Sequence, residues 1–179
     1  MVDPVELATI VRRALQGVAK EWGQRGPKTQ LTPAFVQRTG AANLDDLLEG
    51  LVMERYELSA ADAPLVFRVA QAGDPVAIAA LRWAGEELAD MVNGVSRQLG
   101  FTDKAFEVVL IGSTFKGGAL LLDPMKAAVL GVNPQATFVP LEAPPVVGGV
   151  LLGMEQAGID GYAVRQALIQ STRALLATA

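Results

Sequence analysis

Two short stretches of this chain read as β-strands, and a parallel pair of strands cannot stand by itself. Residues 106–111 (Phe, Glu, Val, Val, Leu, Ile) form a β-branched apolar run that stops at Gly112, and residues 136–141 form a second run. Each is followed by a helical pattern, so the order from residue 101 is β-α-β-α. That order predicts an α/β arrangement of few parallel strands joined by right-handed crossovers. Parallel sheets are nearly always covered on both faces. Two-stranded units are marginal even when antiparallel. The sheet therefore reads as unfinished, with further strands supplied from elsewhere.

The rest of the chain is helix-rich. Asp3 is placed to cap a first helix, with Pro4 at its first position and Glu6 three residues after the cap. Leu7, Val11, Ala14, Val18 and Trp22 follow at spacings of three and four until Gly26-Pro27 ends the pattern. Thr32-Pro33 opens a short helix running through Val36, Asn43 caps another holding Leu44, Leu47, Leu48 and Leu51, and a third covers 60–72. Gly73-Asp74-Pro75 is a stop followed at once by a start. It opens the longest helix, in which Ile78, Leu81, Gly85, Leu88, Val92, Val95 and Leu99 keep the helical rhythm up to Gly100. Gly85 and Gly94 inside it each cost ~1 kcal/mol relative to alanine, and they either admit a second backbone or are simply tolerated. Further helices are predicted over 120–130, 146–158 and 162–176, with 140–145 as a rigid connector. Trp22 and Trp83 read as packing residues. Gly148, Gly149 and Gly153 read as letting their helix press against the sheet.

Composition supports the unfinished sheet and removes several kinds of chemistry. Apolar residues make up 51% and charged residues 19% of the 179, against about 25% charged in ordinary domains. A chain this small buries such an excess unusually well or keeps an apolar face for a partner, and we expect the partner. The formal charge is −4 and no basic run occurs, so a nucleic-acid surface is not expected. Without cysteine or histidine there is no thiol chemistry, imidazole catalysis or zinc site built from those residues. Asp3 and Glu6 stand where a secretory leader carries positive charge, and no apolar run approaches the ~20 residues of a membrane span, so the cytoplasm is the expected compartment. The adjacent carboxylates Asp45-Asp46 and Glu86-Glu87 do not face each other on a helix and read as a solvated surface.

Ligands of open α/β sheets bind beyond the carboxyl ends of strands. Gly112, Ser113, Thr114, Phe115, Lys116, Gly117 and Gly118 occupy such a place. Glycine lets a backbone come close to a ligand, Ser113 and Thr114 offer hydroxyls, and Lys116 offers a cation. The loop fits neither GxxxxGK[ST] nor GxGxxG. By pattern alone it also reads as a strand-to-helix turn that needs glycine for its backbone angles.

From residue 63 onward three segments resemble the C-terminal part of the BadF/BadG/BcrA/BcrD ATPase family, within the actin-like ATPase and sugar-kinase superfamily. Ala70-Gln71-Ala72-Gly73-Asp74-Pro75-Val76-Ala77 resembles the family's "A-x-x-GDPxA" helix start. Val109-Leu110-Ile111-Gly112-Ser113-Thr114-Phe115-Lys116 resembles its adenosine motif, where the N-acetylglucosamine kinases of the family carry a similar Gly-Ser-Val-aromatic-Lys. Pro144-Pro145-Val146-Val147-Gly148-Gly149-Val150-Leu151-Leu152-Gly153 resembles its closing "P-x-x-GAxxLA" helix. Many bacterial relatives have Gly-Gly where this chain has Gly112-Ser113, a departure toward the kinase branch.

The resemblance implies a partial ribonuclease-H-like lobe, with residues 1–62 as a helical insertion and 63–179 as part of an adenosine-binding lobe, the whole forming one C-terminal half-domain. It implies ATP as cofactor, with adenosine against Gly112, Ser113 and the start of the next helix, and Thr114, Phe115 and Lys116 nearby. The family's "DGGxT" hairpin and "GDEGSG" stretch are not found in this sequence. With them go the groups that hold Mg²⁺, cradle the phosphates and activate an amino-sugar hydroxyl, so phosphoryl transfer by this chain alone is not expected. The expected partners are the missing lobe or a second copy covering the open sheet edge. A different reading is a helical interaction module whose nucleotide loop is vestigial. The family's radical-enzyme activators use cysteine-bound clusters, which a chain without cysteine cannot hold.

Overall fold

The computed structural model describes residues 7–112, 114–115, 118–141 and 143–177. The proposed cap at Asp3, with Pro4 and Glu6, lies outside the described residues. Eight helices and two strands follow one another among them: α1 (Leu7–Trp22), α2 (Leu31–Thr39), α3 (Leu44–Val52), a short 3₁₀ turn (Ala60–Asp62), α4 (Ala63–Gln71), α5 (Pro75–Gln98), β1 (Phe106–Leu110), α6 (Ala119–Val132), β2 (Ala136–Pro140), α7 (Pro145–Gln156) and α8 (Arg165–Ala177). β1 and β2 pair in a small parallel sheet of two strands. The chain is thus a helix-rich α/β protein. No described helix is long and apolar enough to cross a bilayer.

The residues divide into two compact units, Met1–Val108 with Gly112–Phe138, and Val109–Ile111 with Val139–Ala179. The first has a continuous core. Ile10 and Val18 of α1, Leu31 and Phe35 of α2, Leu47 of α3, Val66 of α4, Leu81 of α5 and Leu121 of α6 are all fully buried. Local chemistry sets its joints. Asn43 caps α3 by accepting the Asp46 N–H at 3.0 Å, as its position before the leucine pattern predicts. Asp74 caps α5 through the N–H groups of Val76 and Ala77, with Pro75 at the first turn.

Asp74 also does something no local pattern announces. It accepts the Thr29 hydroxyl at 2.8 Å and the Gln30 N–H at 2.8 Å, tying the turn before α2 to the start of α5. Thr29 in turn accepts the Leu31 N–H, so the turn opening α2 is held by Thr29 and not by Thr32-Pro33. The carboxylate is 7% exposed. Burial works to raise its pKa, but the bonds from Ala77, Gln30, Thr29 and Val76 outweigh that and hold it below the usual aspartate range.

Several expectations are corrected. The helix predicted over 60–72 is broken after Asp62: Ser59 and Asp62 form a capping box on the 3₁₀ turn, and Pro64 starts a new helix. Trp22 does not pack inside; it is 57% exposed and donates its indole N–H to Asp45. Trp83 does pack against the core, with the Arg13 guanidinium 5.1 Å from its ring centre. On α5 the buried face is made of small residues, Ala77, Ala80, Ala84, Gly85, Ala89 and Ser96, around Leu81 and Asn93. Val95 and Leu99 of the expected stripe are 55% and 58% exposed. Small side chains win that face because other helices lie close against it, α6 from Gly85 onward and α1 and α4 as well.

Gly85 explains the closeness. A Cβ there would collide with the Leu121 carbonyl oxygen and sit 3.2 Å from the Met125 nitrogen. Gly94 meets nothing within 4 Å among the described residues and is the tolerated one. Near the far end of α6, the buried Asn133 donates to Asn93 at 2.7 Å, and Asn93 donates to the Ala128 carbonyl at 3.2 Å. Strand β1 is not buried on both faces as its sequence suggested: its residues alternate, and Val109 is 47% exposed.

In the second unit α7 and α8 touch each other. Nothing stands within 4 Å of where a Cβ would be at Gly148, Gly149 or Gly153, so these glycines serve no close packing among the described residues. Glu142, in the connector expected to be rigid, lies outside the described residues.

Candidate functional site

The site begins where β1 ends. Gly112 has φ of +113°, a conformation that residues with a Cβ rarely adopt, and among the described residues, its chain neighbours aside, no atom lies within 4 Å of the position a Cβ would take. Both features matter: the turn requires glycine, and no described residue fills the space over it. Thr114 and Phe115 follow in a short helical turn and are half-buried. Phe115 packs against the helical core, which anchors the middle of the loop. Ser113, Lys116 and Gly117 lie outside the described residues.

Gly118 closes the loop with φ of +82° and again, among the described residues, no neighbour near its missing Cβ. It stands at the cap position of α6 and brings no side chain to cap it. The Leu121 and Leu122 N–H groups bond to its carbonyl at 3.3 and 3.1 Å. The first-turn N–H groups ahead of them have no partner within the helix, which leaves them for a polar or anionic neighbour. Pro124 inside α6 has no N–H, so the Leu120 carbonyl also lacks its usual helical donor. The start of α6 thus brings backbone donors that the helix itself does not use, and one such acceptor, beside two positive-φ glycines. Sequence reading found the glycines and overlooked Pro124, although a proline at the fifth position of a predicted helix is itself the signal.

Other titratable clusters are structural. Asp46 accepts the Ala42 N–H, the Tyr56 hydroxyl at 2.7 Å and the Arg55 guanidinium at 2.9 Å, and these bonds hold its pKa below the usual range. Tyr56 is pushed up by the same bond to Asp46. The pair Asp45-Asp46 lies on the surface as expected, and it also fastens α3 to Trp22 and to the turn after it. Glu86 pairs with Arg82 on the surface of α5 as a solvated charge should. Among the described residues no three carboxylates gather as a metal site would need. An apolar groove of about 410 Å³ runs between α5 and β1, lined by Met91, Val95, Leu99, Phe101, Phe106 and Val108.

Comparison with protein-family models finds no match. Over 144 residues the chain is 27% identical to an N-acetyl-D-glucosamine kinase of Dictyostelium discoideum, an alignment covering 78% of this chain and 45% of that kinase. Because it leaves out only 22% of this chain, the alignment includes β1 and the loop after it wherever it starts. The chain spans a little less than half the length of this curated relative. The relationship is distant and of a sugar-kinase kind.

Proposed function

We propose that this chain is the adenosine-binding part of a BadF-type, N-acetylglucosamine-kinase-like phosphotransferase, and that it transfers no phosphoryl group without the lobe it lacks. The observation that carries the reading is Gly112. It is a positive-φ glycine with no described residue over it, at the carboxyl end of a parallel strand, within a segment aligned to a kinase.

ATP supplies the phosphoryl group, and an amino sugar of the N-acetylglucosamine type receives it. The residues here fit the nucleoside end. Gly112 and Gly118 let a flat base or a ribose approach the backbone, the uncapped start of α6 offers hydrogen-bond donors, and Phe115 fixes the loop to the core. Thr114 adds a hydroxyl, and Ser113 and Lys116 belong to the same site in this reading. Mg²⁺ and the carboxylate that activates the sugar hydroxyl are assigned to residues outside this chain, since such transfer rests on positioning and charge neutralisation. The missing lobe is the partner, the cytoplasm the compartment, and the 1–62 segment a helical insertion on a single adenosine-binding half-domain.

Release of ADP in the presence of N-acetylglucosamine tests this. The chain alone should give background turnover, and the N-terminal part of the Dictyostelium kinase supplied in trans should raise it. Strong turnover by the chain alone contradicts the reading. A second reading, an interaction module with a vestigial loop, draws on the exposed Met91, Val95 and Leu99 beside Phe106. It predicts an oligomer blind to nucleotide. Thermal unfolding with Mg-ATP separates the two, because a ligand at a hundred times its Kd adds about 2.7 kcal/mol of stability.

A further inference from the structure

We propose that the helical unit carries a second ligand site, between α1 and the first turns of α5, that takes a small carboxylate with an apolar body. The site is independent of the nucleotide reading. It is a recess of about 240 Å³. A cavity of about 150 Å³ already accommodates benzene, so a single ring fits. Pro27, Pro75, Val76 and Ala79 give it an apolar floor, and Arg13, Gln16 and Lys20 of α1 stand at its rim.

The charge pattern is what selects an anion. No aspartate or glutamate is among the residues lining the recess. Neither Arg13 nor Lys20 forms an ion pair among the described residues. Asp74, at the head of α5, already spends its carboxylate on Thr29, Gln30, Val76 and Ala77. Two cations with no ion pair among the described residues, set over an apolar floor, are unexpected in a chain of net charge −4. The polar pocket that holds Arg38 and Arg55 is the contrasting case, because Asp62, Asp46 and Glu49 have already paired with its guanidiniums.

The recess is also preformed. A Cβ at Gly17 would collide with the Val76 side chain, so α1 and α5 meet at the floor without adjustment. The Arg13 guanidinium is held over the Trp83 ring and donates to Gln16 at 3.1 Å, which leaves further N–H groups for a carboxylate. Lys20 lies two helical turns away, ~10 Å along the axis, so an acid reaches one cation while its body covers the floor.

Benzoate, benzyl alcohol and benzylamine, each titrated into the full chain and followed by amide chemical shifts, test the site. Benzoate should move α1 and the first turns of α5. Benzyl alcohol should bind about tenfold more weakly, as expected for two partly exposed charges, and benzylamine not at all. The double variant Arg13→Gln, Lys20→Gln should lose the same factor. Ala79→Leu, at an exposed helical position, should fill the floor and abolish binding with the fold intact. Equal affinity for the acid and the alcohol overturns the proposal, as does benzoate binding that survives both variants, shifts placed elsewhere, or no benzoate binding.

Discussion

The helical unit and the segment from Val139 onward use the same apolar residue types and reach opposite outcomes. Six helices enclose Phe35, Ile10, Leu31, Leu47, Leu81 and Leu121 completely. In the later segment Val147 and Ile169 are the buried apolar residues, while Val146, Val150, Leu152, Leu175 and Leu176 are 58%, 44%, 56%, 70% and 63% exposed. Sequence apolarity is not what separates them. The helical unit has enough elements to close around its side chains, whereas in the later segment the described helices are two, α7 and α8, packed on each other. A region can thus be as hydrophobic as a core and still lack the neighbours that make one.

The comparison breaks most readily at Phe35. Phe35→Ala should cost about 3–5 kcal/mol in urea unfolding, because a fully buried ring leaves a cavity the helices cannot fill. A loss below 1 kcal/mol would mean the helical unit is not the closed body described. Next comes Asp74→Ala, which removes a cap and strands the Thr29 hydroxyl and Gln30 N–H, at about 2–3 kcal/mol. Its pH dependence has a fixed sign. The folded carboxyl titrates below its unfolded value of about 3.9, so its stabilisation is present above that pH and fades as the pH falls through the folded value. Unfolding profiles of wild type and variant should therefore converge in acid.

The two glycines of α5 give a smaller and paired effect. Gly85→Ala should destabilise by about 1–3 kcal/mol, since the Leu121 carbonyl stands in the way. Gly94→Ala, with no described residue against it, should stabilise by up to about 1 kcal/mol through helix propensity. The smallest change is expected in the later segment, where Leu152→Ser should alter stability by no more than about 0.5 kcal/mol. A large loss there would show that the segment is already covered.

What the sequence made legible was local chemistry. Asp74-Pro75 and Asn43 declare their helices because a cap binds amides two or three residues away. The two strands and the glycines at 112 and 118 were legible for the same reason. What escaped depended on partners distant in the chain. Thr29 meets a residue 45 positions on, Asn133 one 40 positions back, and Trp22 turns outward to Asp45. The buried face of α5 was misassigned because the closest contact rewards the smallest side chains, while a hydrophobic stripe is counted by the largest. Of the five residues assigned to the nucleotide loop, Gly112, Thr114 and Phe115 fall among the described ones, and the glycine needs its identity for reasons of backbone geometry alone.

The central claim is that the turn after β1 is one wall of a nucleotide cleft. Amide chemical shifts of the chain alone, titrated with Mg-ATP, test it most directly. The account predicts weak binding with shifts confined to residues 112–118 and the first turn of α6, and their loss on Gly112→Val. Shifts scattered over the surface, or none at millimolar nucleotide, would contradict it.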